Sequence, residues 1–227
     1  MPPFLMSNLP ATDLRQNVLT LAVPPDRLPA VGSAMRRLLP AEDYDPLFQG
    51  QYLQTTYFDT PSFRLRKARL AKKKYLTIRI RCYAPSQAPG RNYPEGVYAL
   101  SLKTEAGKYR IDLPPDVAEA VIQDGTDELS LADVPAEFLA RWLELSAGER
   151  LIPVVTVSFT RYAVESSTDR LTLDCNILTS TGKVYASSVL EAKTTARPAV
   201  ALPEVLQWPC HPIKLSKFLW ATSPQAR

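Results

Sequence analysis

A chain of 227 residues with 45% hydrophobic and 22% charged side chains is long enough to fill one sizeable core, and no Gly/Ser-rich linker divides it. Three cysteines, Cys82, Cys175 and Cys210, lie far apart, which argues against a disulfide framework or a zinc site and for reduced cytosolic thiols. Net charge is only +4 but unevenly placed: Arg64 to Arg81 holds nine Lys or Arg and no acid, whereas Asp112 to Glu144 holds nine Asp or Glu and one Arg. A basic zone set apart from an acidic one suits a polyanionic ligand, although two solvated faces that merely keep the protein soluble would read the same way. No segment has the charged start and continuous apolar stretch of a signal peptide, and none approaches the ~20 apolar residues of a membrane span. A soluble, cytoplasmic protein with no membrane segment of its own is expected.

In chain order, residues 1–14 read as a loose lead and 15–227 as a single domain. Asn17 to Val23 reads as a strand. Pro24-Pro25-Asp26 then opens a helix with Leu28, Val31, Met35, Leu38 and Leu39 at helical spacing. Gln51 to Phe58 is a second strand, and Asp59-Thr60-Pro61 turns the chain into a basic, partly helical connection over Ser62 to Lys74. A strand over Tyr75 to Tyr83 follows, then a Pro/Gly/Asn loop to Gly96. Val97 to Thr104 and Lys108 to Leu113 read as a hairpin, and Pro114 to Gln123 and Pro135 to Leu145 as acidic helices. Pro153 to Glu165 and Arg170 to Leu178 form a second hairpin, and Lys183 to Lys193 is the last strand. Leu202 to Trp208 and Ile213 to Trp220 close the chain as short helices. The class is α+β: an antiparallel closed β-barrel of roughly eight strands, with helices packed outside.

The strand at Tyr75 to Tyr83 carries the first functional signal. Ile78 and Ile80 fall on one side, Thr77, Arg79 and Arg81 on the other. Two arginines roughly 7 Å apart along a strand repel by about 2 kcal/mol at an effective dielectric near 20. An anion should offset that repulsion, either a neighbouring carboxylate or a ligand. The pattern recurs in Ser101 and Lys103, in Lys108 and Arg110, in Phe159 and Arg161, in Arg170, Thr172 and Asp174, and in Glu191 and Lys193. In an open sheet each would be surface decoration. Repeated over several strands of a closed sheet, they line a common lumen and ask for an anion inside it. Glu191 is the exception, either a counter-ion or the carboxylate of a divalent metal that bridges to phosphate oxygens.

These motifs together resemble the VTC domain, the polyphosphate polymerase domain of the vacuolar transporter chaperone, in the triphosphate tunnel superfamily that also contains the CYTH proteins. The carriers are Tyr57-Phe58-Asp59-Thr60, Arg79-Ile-Arg81-Cys-Tyr83, Gly107-Lys108-Tyr-Arg110 and Phe159-Thr-Arg161-Tyr-Ala163. They continue with Arg170-Leu-Thr-Leu-Asp174, Val189-Leu-Glu191-Ala-Lys193 and Lys214-Leu-Ser-Lys217-Phe218. The resemblance implies catalytic roles for Arg79, Arg81, Arg161 and Lys217, and phosphate binding by Lys103, Lys108, Arg110, Arg170, Lys193 and Lys214. It also implies Glu191 as ligand to a divalent metal, Mn²⁺ or Mg²⁺. Two departures stand out. The family's first strand carries a Glu-x-Lys pair, and counting back from Val23 those positions are Asn17 and Leu19. The glutamate two residues before Lys103 is Ser101, which leans toward the CYTH pattern.

The implied activity is transfer of the terminal phosphoryl of a nucleoside triphosphate onto inorganic polyphosphate; a membrane-bound partner stays open. Such chemistry needs placed cations rather than a nucleophilic triad, and His211, the only histidine, reads as a turn residue. Three rivals use the same residues: a CYTH-type tri- or polyphosphate hydrolase, a non-catalytic polyphosphate-binding module, and a nucleic-acid binder. The last ranks lowest, because the cations alternate with aliphatics rather than with stacking aromatics.

Overall fold

Hairpin follows hairpin along most of this chain, and the strands they join form one antiparallel sheet. The computed structural model describes residues 17–37, 50–71, 76–84, 97–104, 107–125, 135–165, 169–194, 208 and 210–224. The strands are β1 (Asn17–Val23), β2 (Gln51–Asp59), β3 (Thr77–Ala84), β4 (Val97–Thr104), β5 (Gly107–Leu113), β6 (Ile152–Glu165), β7 (Asp169–Thr179), β8 (Ser188–Thr194) and β9 (His211–Pro212). Their order is β5-β4-β3-β2-β6-β7-β8-β1-β9. Among the described residues there are nine strands, against the roughly eight expected. Strands β5 and β9 are, among the described residues, the two edges of this curled sheet, and no hydrogen-bonded ladder joins them.

Two apolar layers cover the outer face. Ile78, Ile80, Cys82, Tyr98, Leu100, Leu102 and Ile111 pack against α3 (Pro115–Asp124) and α4 (Ala136–Ser146) through Ala118, Val121, Phe138 and Trp142. Leu21, Val23, Leu171, Leu173, Leu190 and Ala192 pack against Val31 and Met35 of α1 (Leu28–Arg37). Among the described residues no helix is long and apolar enough to cross a membrane.

The last helix, α5 (Lys217–Thr222), breaks the expected rule that helices pack outside. Phe218 and Ala221 join Leu53, Tyr57, Val155, Val157, Phe159 and Ile177, which occupy the inner face. Ser216 caps the helix, accepting from the Leu219 amide at 3.4 Å. At the other end Lys183 Nζ donates to the Trp220 carbonyl and to Ser223 Oγ, each at 2.6 Å, a cation at a helix C-terminus. The helix thus forms an apolar floor within the concave side.

Two further boundaries differ from the sequence reading. The last long strand begins at Ser188, not Lys183, because Thr179–Gly182 makes a tight turn, with Gly182 at φ 80° donating to the Thr179 carbonyl at 3.0 Å. The C-terminal helix begins at Lys217, not Ile213, because His211–Pro212 pairs with Leu21 and Ala22 of β1 as an edge strand. The lead over 1–14, Leu38 and Leu39, Tyr75, the loop over 85–96, the turn residues 105–106 and 166–168, and the helix over 202–207 lie outside the described residues.

Candidate functional site

Strand register decides which side chains share the concave face. One row across the sheet is Lys108, Lys103 and Thr77; the next is Arg110, Ser101, Arg79, Tyr57 and Val155; a third is Asp112, Ala99, Arg81, Thr55 and Val157. On the other half, Gln51, Arg161, Asp174 and Val189 form one row, Ala163, Thr172, Glu191 and Thr20 another, and Arg170, Lys193 and Val18 a third. Eight cations therefore meet on one face, with Asp112, Asp174, Glu191 and, by its register opposite Arg170, Glu165 as the acids of these rows. Strand β7 reaches this through a bulge: three of its residues span two of β6, and Asn176 absorbs the extra one at φ 54°.

The deep part is tightly braced. Asp174, 2% exposed, receives Arg161 Nε at 2.6 Å, Arg161 Nη2 at 2.8 Å and Lys217 Nζ at 2.6 Å. Burial pushes its carboxyl up, but Lys217 and Arg161 more than offset this and hold it far below the ordinary carboxylate range. Arg161, Lys217 and Arg81 also lie 5.3, 5.0 and 5.9 Å from the ring of Phe159, so three cations share one phenyl group. Arg81 Nε donates to Thr55 Oγ1 at 3.0 Å, and burial, then Arg79 and Arg161, bring its pKa down to about 10. Tyr83 is flanked by the guanidinium groups of Arg81 and Arg110 at 5.8 and 5.3 Å. Burial alone would raise its hydroxyl, yet Arg81 and Arg110 win and its pKa falls.

The outer part is more open and more strongly cationic. Lys108 remains solvent-accessible at its tip, but withdrawal from bulk water and the fields of Arg79, Arg81, Arg110 and Lys193 bring it down to about 8. Lys103 is lowered by desolvation first, then by Lys193, Arg79 and Arg69. Lys193 belongs to β8 and Lys103 to β4, far apart in strand order, so the sheet curls until its two halves face each other. Glu191 pairs with Lys193 at 3.3 Å; burial raises its carboxyl, but Lys193, Lys217 and Arg161 bring it below its usual value. Arg79 has no side-chain hydrogen bond or ion pair among the described residues, so the repulsion it shares with Arg81 is not answered by a carboxylate of its own.

The VTC domain profile matches residues 18–221. The chain belongs to the VTC domain family. Among solved structures it is similar to a "putative adenylate cyclase" from Bacillus halodurans, with TM-score 0.58, 17% identity, and coverage of 88% of this chain and 92% of that one. It is also similar to a "putative adenylyl cyclase" from Hippeastrum described as having a dominant triphosphatase activity, with TM-score 0.57, 18% identity, and coverage of 88% and 92%. At these identities the likeness establishes a shared fold. A search of curated proteins returned no match.

In this VTC domain nine of the eleven residues singled out from sequence lie in the rows described above: Arg79, Arg81, Lys103, Lys108, Arg110, Arg161, Arg170, Glu191 and Lys193. Lys217 joins them from α5 through Asp174. Lys214 does not: it is exposed between Ile213 and Leu215, both of which turn into the apolar floor, so alternation aims it elsewhere. Arg110 is already committed to Asp112, at 3.0 and 2.9 Å. The first-strand register is corrected by one residue. Val18 opposes Lys193 and Thr20 opposes Glu191, whereas Leu19 packs on the outer layer beside α1. The inward first-strand positions are therefore Val18 and Thr20, still neither Glu nor Lys. His211 is an exposed edge-strand residue rather than a turn residue.

Two buried carboxylates, Asp59 and Asp174, brace the elements around the site. Asp59 Oδ1 accepts from the Thr60 and Leu65 amides at 2.7 and 2.8 Å and Oδ2 from Arg66 at 2.9 Å, which caps α2 (Arg64–Leu70). Asp174 had a legible signal: it stands four residues after Arg170, on the same strand face.

Proposed function

We propose that this VTC domain grips the phosphate chain of a nucleoside triphosphate in its cationic trough and passes the terminal phosphoryl to inorganic polyphosphate. The observation that carries the reading is the convergence of eight cations on one concave face, with Asp174 already spent on Arg161 and Lys217. Arg79, Arg81, Lys103 and Lys108 on one wall and Arg170 and Lys193 on the other are suited to hold non-bridging oxygens. Hydrogen bonds to charged groups contribute about 1.5–3 kcal/mol each, so a few such contacts suffice. Transfer then needs alignment of donor and acceptor oxygens and little covalent chemistry from side chains.

A divalent metal fits one carboxylate. Among the described residues no three His, Cys, Asp or Glu converge. Glu191, ionised and half-exposed, would hold Mn²⁺ or Mg²⁺, which takes one or two protein carboxylates and neutralises charge on phosphate oxygens.

A second reading, hydrolysis of a triphosphate or polyphosphate, is favoured by Ser101 on the concave face between Arg79 and Arg110, and by the triphosphatase activity ascribed to the Hippeastrum protein. Incubation with ATP and Mn²⁺ distinguishes the two, run beside Glu191→Gln. Long-chain product that disappears in the variant supports the polymerase, and orthophosphate alone supports the hydrolase. Tight polyphosphate binding without turnover would leave a binding module.

A further inference from the structure

The trough does not end at the sheet. Helix α2 stands at its Lys103 end, and Asp59 fixes the helix direction by taking the Leu65 and Arg66 amides of its first turn. Arg66 and Arg69 are three residues apart and so share a helix face. Arg69 Nη1 donates to Thr77 Oγ1 at 2.7 Å, and Thr77 sits in the same row as Lys103 and Lys108. The field of Arg69 reaches Lys103, which places the two cations close together. Arg66 keeps its Nε buried with no hydrogen-bond partner among the described residues, a donor for which an anionic acceptor is the natural complement. Asp59 spends both carboxylate oxygens on backbone amides, and the sequence offers no acid between Arg64 and Arg81.

We propose that Arg66 and Arg69 form an outer subsite of the trough, which receives phosphates of a long chain after Lys103 and Lys108 have bound those nearer the centre. The proposal rests on the phosphate-chain reading above and adds length selectivity to it. A triphosphate spans the inner cations and ends before α2. A polyphosphate continues onto the helix. Discrimination between the two ligands then comes from contacts the shorter one never reaches, not from tighter handling of the phosphates they have in common.

The test compares tripolyphosphate with long-chain polyphosphate by calorimetry at one fixed salt concentration, in wild type and in the Arg66→Gln, Arg69→Gln double variant. The expected result is a loss of ten-fold or more in long-chain affinity, with tripolyphosphate affinity unchanged within about two-fold, the ten-fold step corresponding to about 1.4 kcal/mol. The salt dependence of long-chain binding should also become shallower, since fewer counterions are released. An Arg66→Lys, Arg69→Lys variant, which keeps the charges, should retain most of the long-chain affinity and controls for damage to α2. Equal losses for both ligands, or an unchanged long-chain affinity, overturn the outer subsite. Failure of wild type to bind tripolyphosphate at all overturns the phosphate-chain reading itself, and the subsite with it.

Discussion

Asp174 meets Arg161 side-on, Oδ1 to Nε at 2.6 Å and Oδ2 to Nη2 at 2.8 Å, inside a site otherwise dominated by cations. The same Oδ2 takes Lys217 from the inner helix. One carboxylate therefore orients two cations and ties β7 to α5. Removing one partner of a buried ion pair costs about 3–5 kcal/mol, because the remaining charges stay buried without compensation. Asp174→Asn should lower the melting temperature of ligand-free protein accordingly, and tripolyphosphate should recover part of the loss by supplying the missing negative charge. The pH dependence has a definite sign. With its folded pKa depressed, Asp174 contributes fully above the unfolded carboxylate value of about 3.9 and loses that contribution as pH falls toward the lower folded value. The gap between wild type and Asp174→Asn should therefore narrow only below about pH 4, as read from melting curves across acid pH. A gap that closes near neutrality would show that the pairing contributes little.

Arg79 and Arg81 separate binding from folding in different ways. Arg79 has no carboxylate partner among the described residues, so Arg79→Ala should leave the empty protein as stable or more so while costing about 1.5–3 kcal/mol of phosphate binding. Arg81 is buried and bonded to Thr55, so Arg81→Met, which fills much of its volume, is the fairer probe. It should also preserve or raise apo stability and weaken binding. Thermal shift with and without tripolyphosphate checks both. A large drop in the ligand-free melting temperature would make these arginines structural.

Lys108 titrates well below an ordinary lysine, at about 8. Its depressed pKa means that, below about pH 8, the charged lysine is a burden on the folded state; the burden lifts as pH rises from there toward the unfolded lysine value of about 10.4. Lys108→Gln should thus be the more stable protein at pH 7 in the absence of ligand, with the difference shrinking above pH 8. Phosphate restores the preference for the charged form, so binding near pH 8 should draw protons from the buffer. Calorimetry in buffers of different ionisation enthalpy reads this uptake, and Lys108→Arg, which does not titrate there, should reduce it.

Restoration of a first-strand cation has to follow the observed register. Thr20→Lys and Val18→Lys add charge to the concave face, beside Glu191 and Lys193 respectively. Thr20→Lys, set against Glu191, should strengthen tripolyphosphate binding. Leu19→Lys instead forces an ammonium toward the apolar layer beside α1 and should mainly lower the melting temperature. Binding assays and melting curves on the three variants decide between these registers.

Alternation made most of the site legible. Over residues 77–82 of β3 and 100–103 of β4 apolar and polar residues alternate, so the inward side of Arg79, Arg81, Ser101 and Lys103 could be read without coordinates. The first strand could not be read this way, because Val18, Leu19, Leu21, Ala22 and Val23 are apolar on both faces. A six-residue helix such as α5 carries too little pattern to say whether it packs outside or within. Edge strand β9, two residues containing a proline, has no period at all. The role of Asp174 depended on Lys217 arriving from a helix 43 residues later, which no local pattern encodes.

The bulge at Asn176 lets β7 serve two purposes with one strand. Before it, Arg170, Thr172 and Asp174 supply polar chemistry; after it, Ile177 and Thr179 switch numbering parity yet stay on the concave side. Length here is consequently as constrained as composition. Deleting Asn176 would restore ordinary alternation and force a choice, with either the Asp174 ion triad or Ile177 of the floor rotated to the outside. Asn176→Gly, which keeps the count and accepts a positive φ, should instead be absorbed with little change. Among homologous chains, single-residue gaps at this point would mark proteins whose pocket has been rebuilt, not merely trimmed.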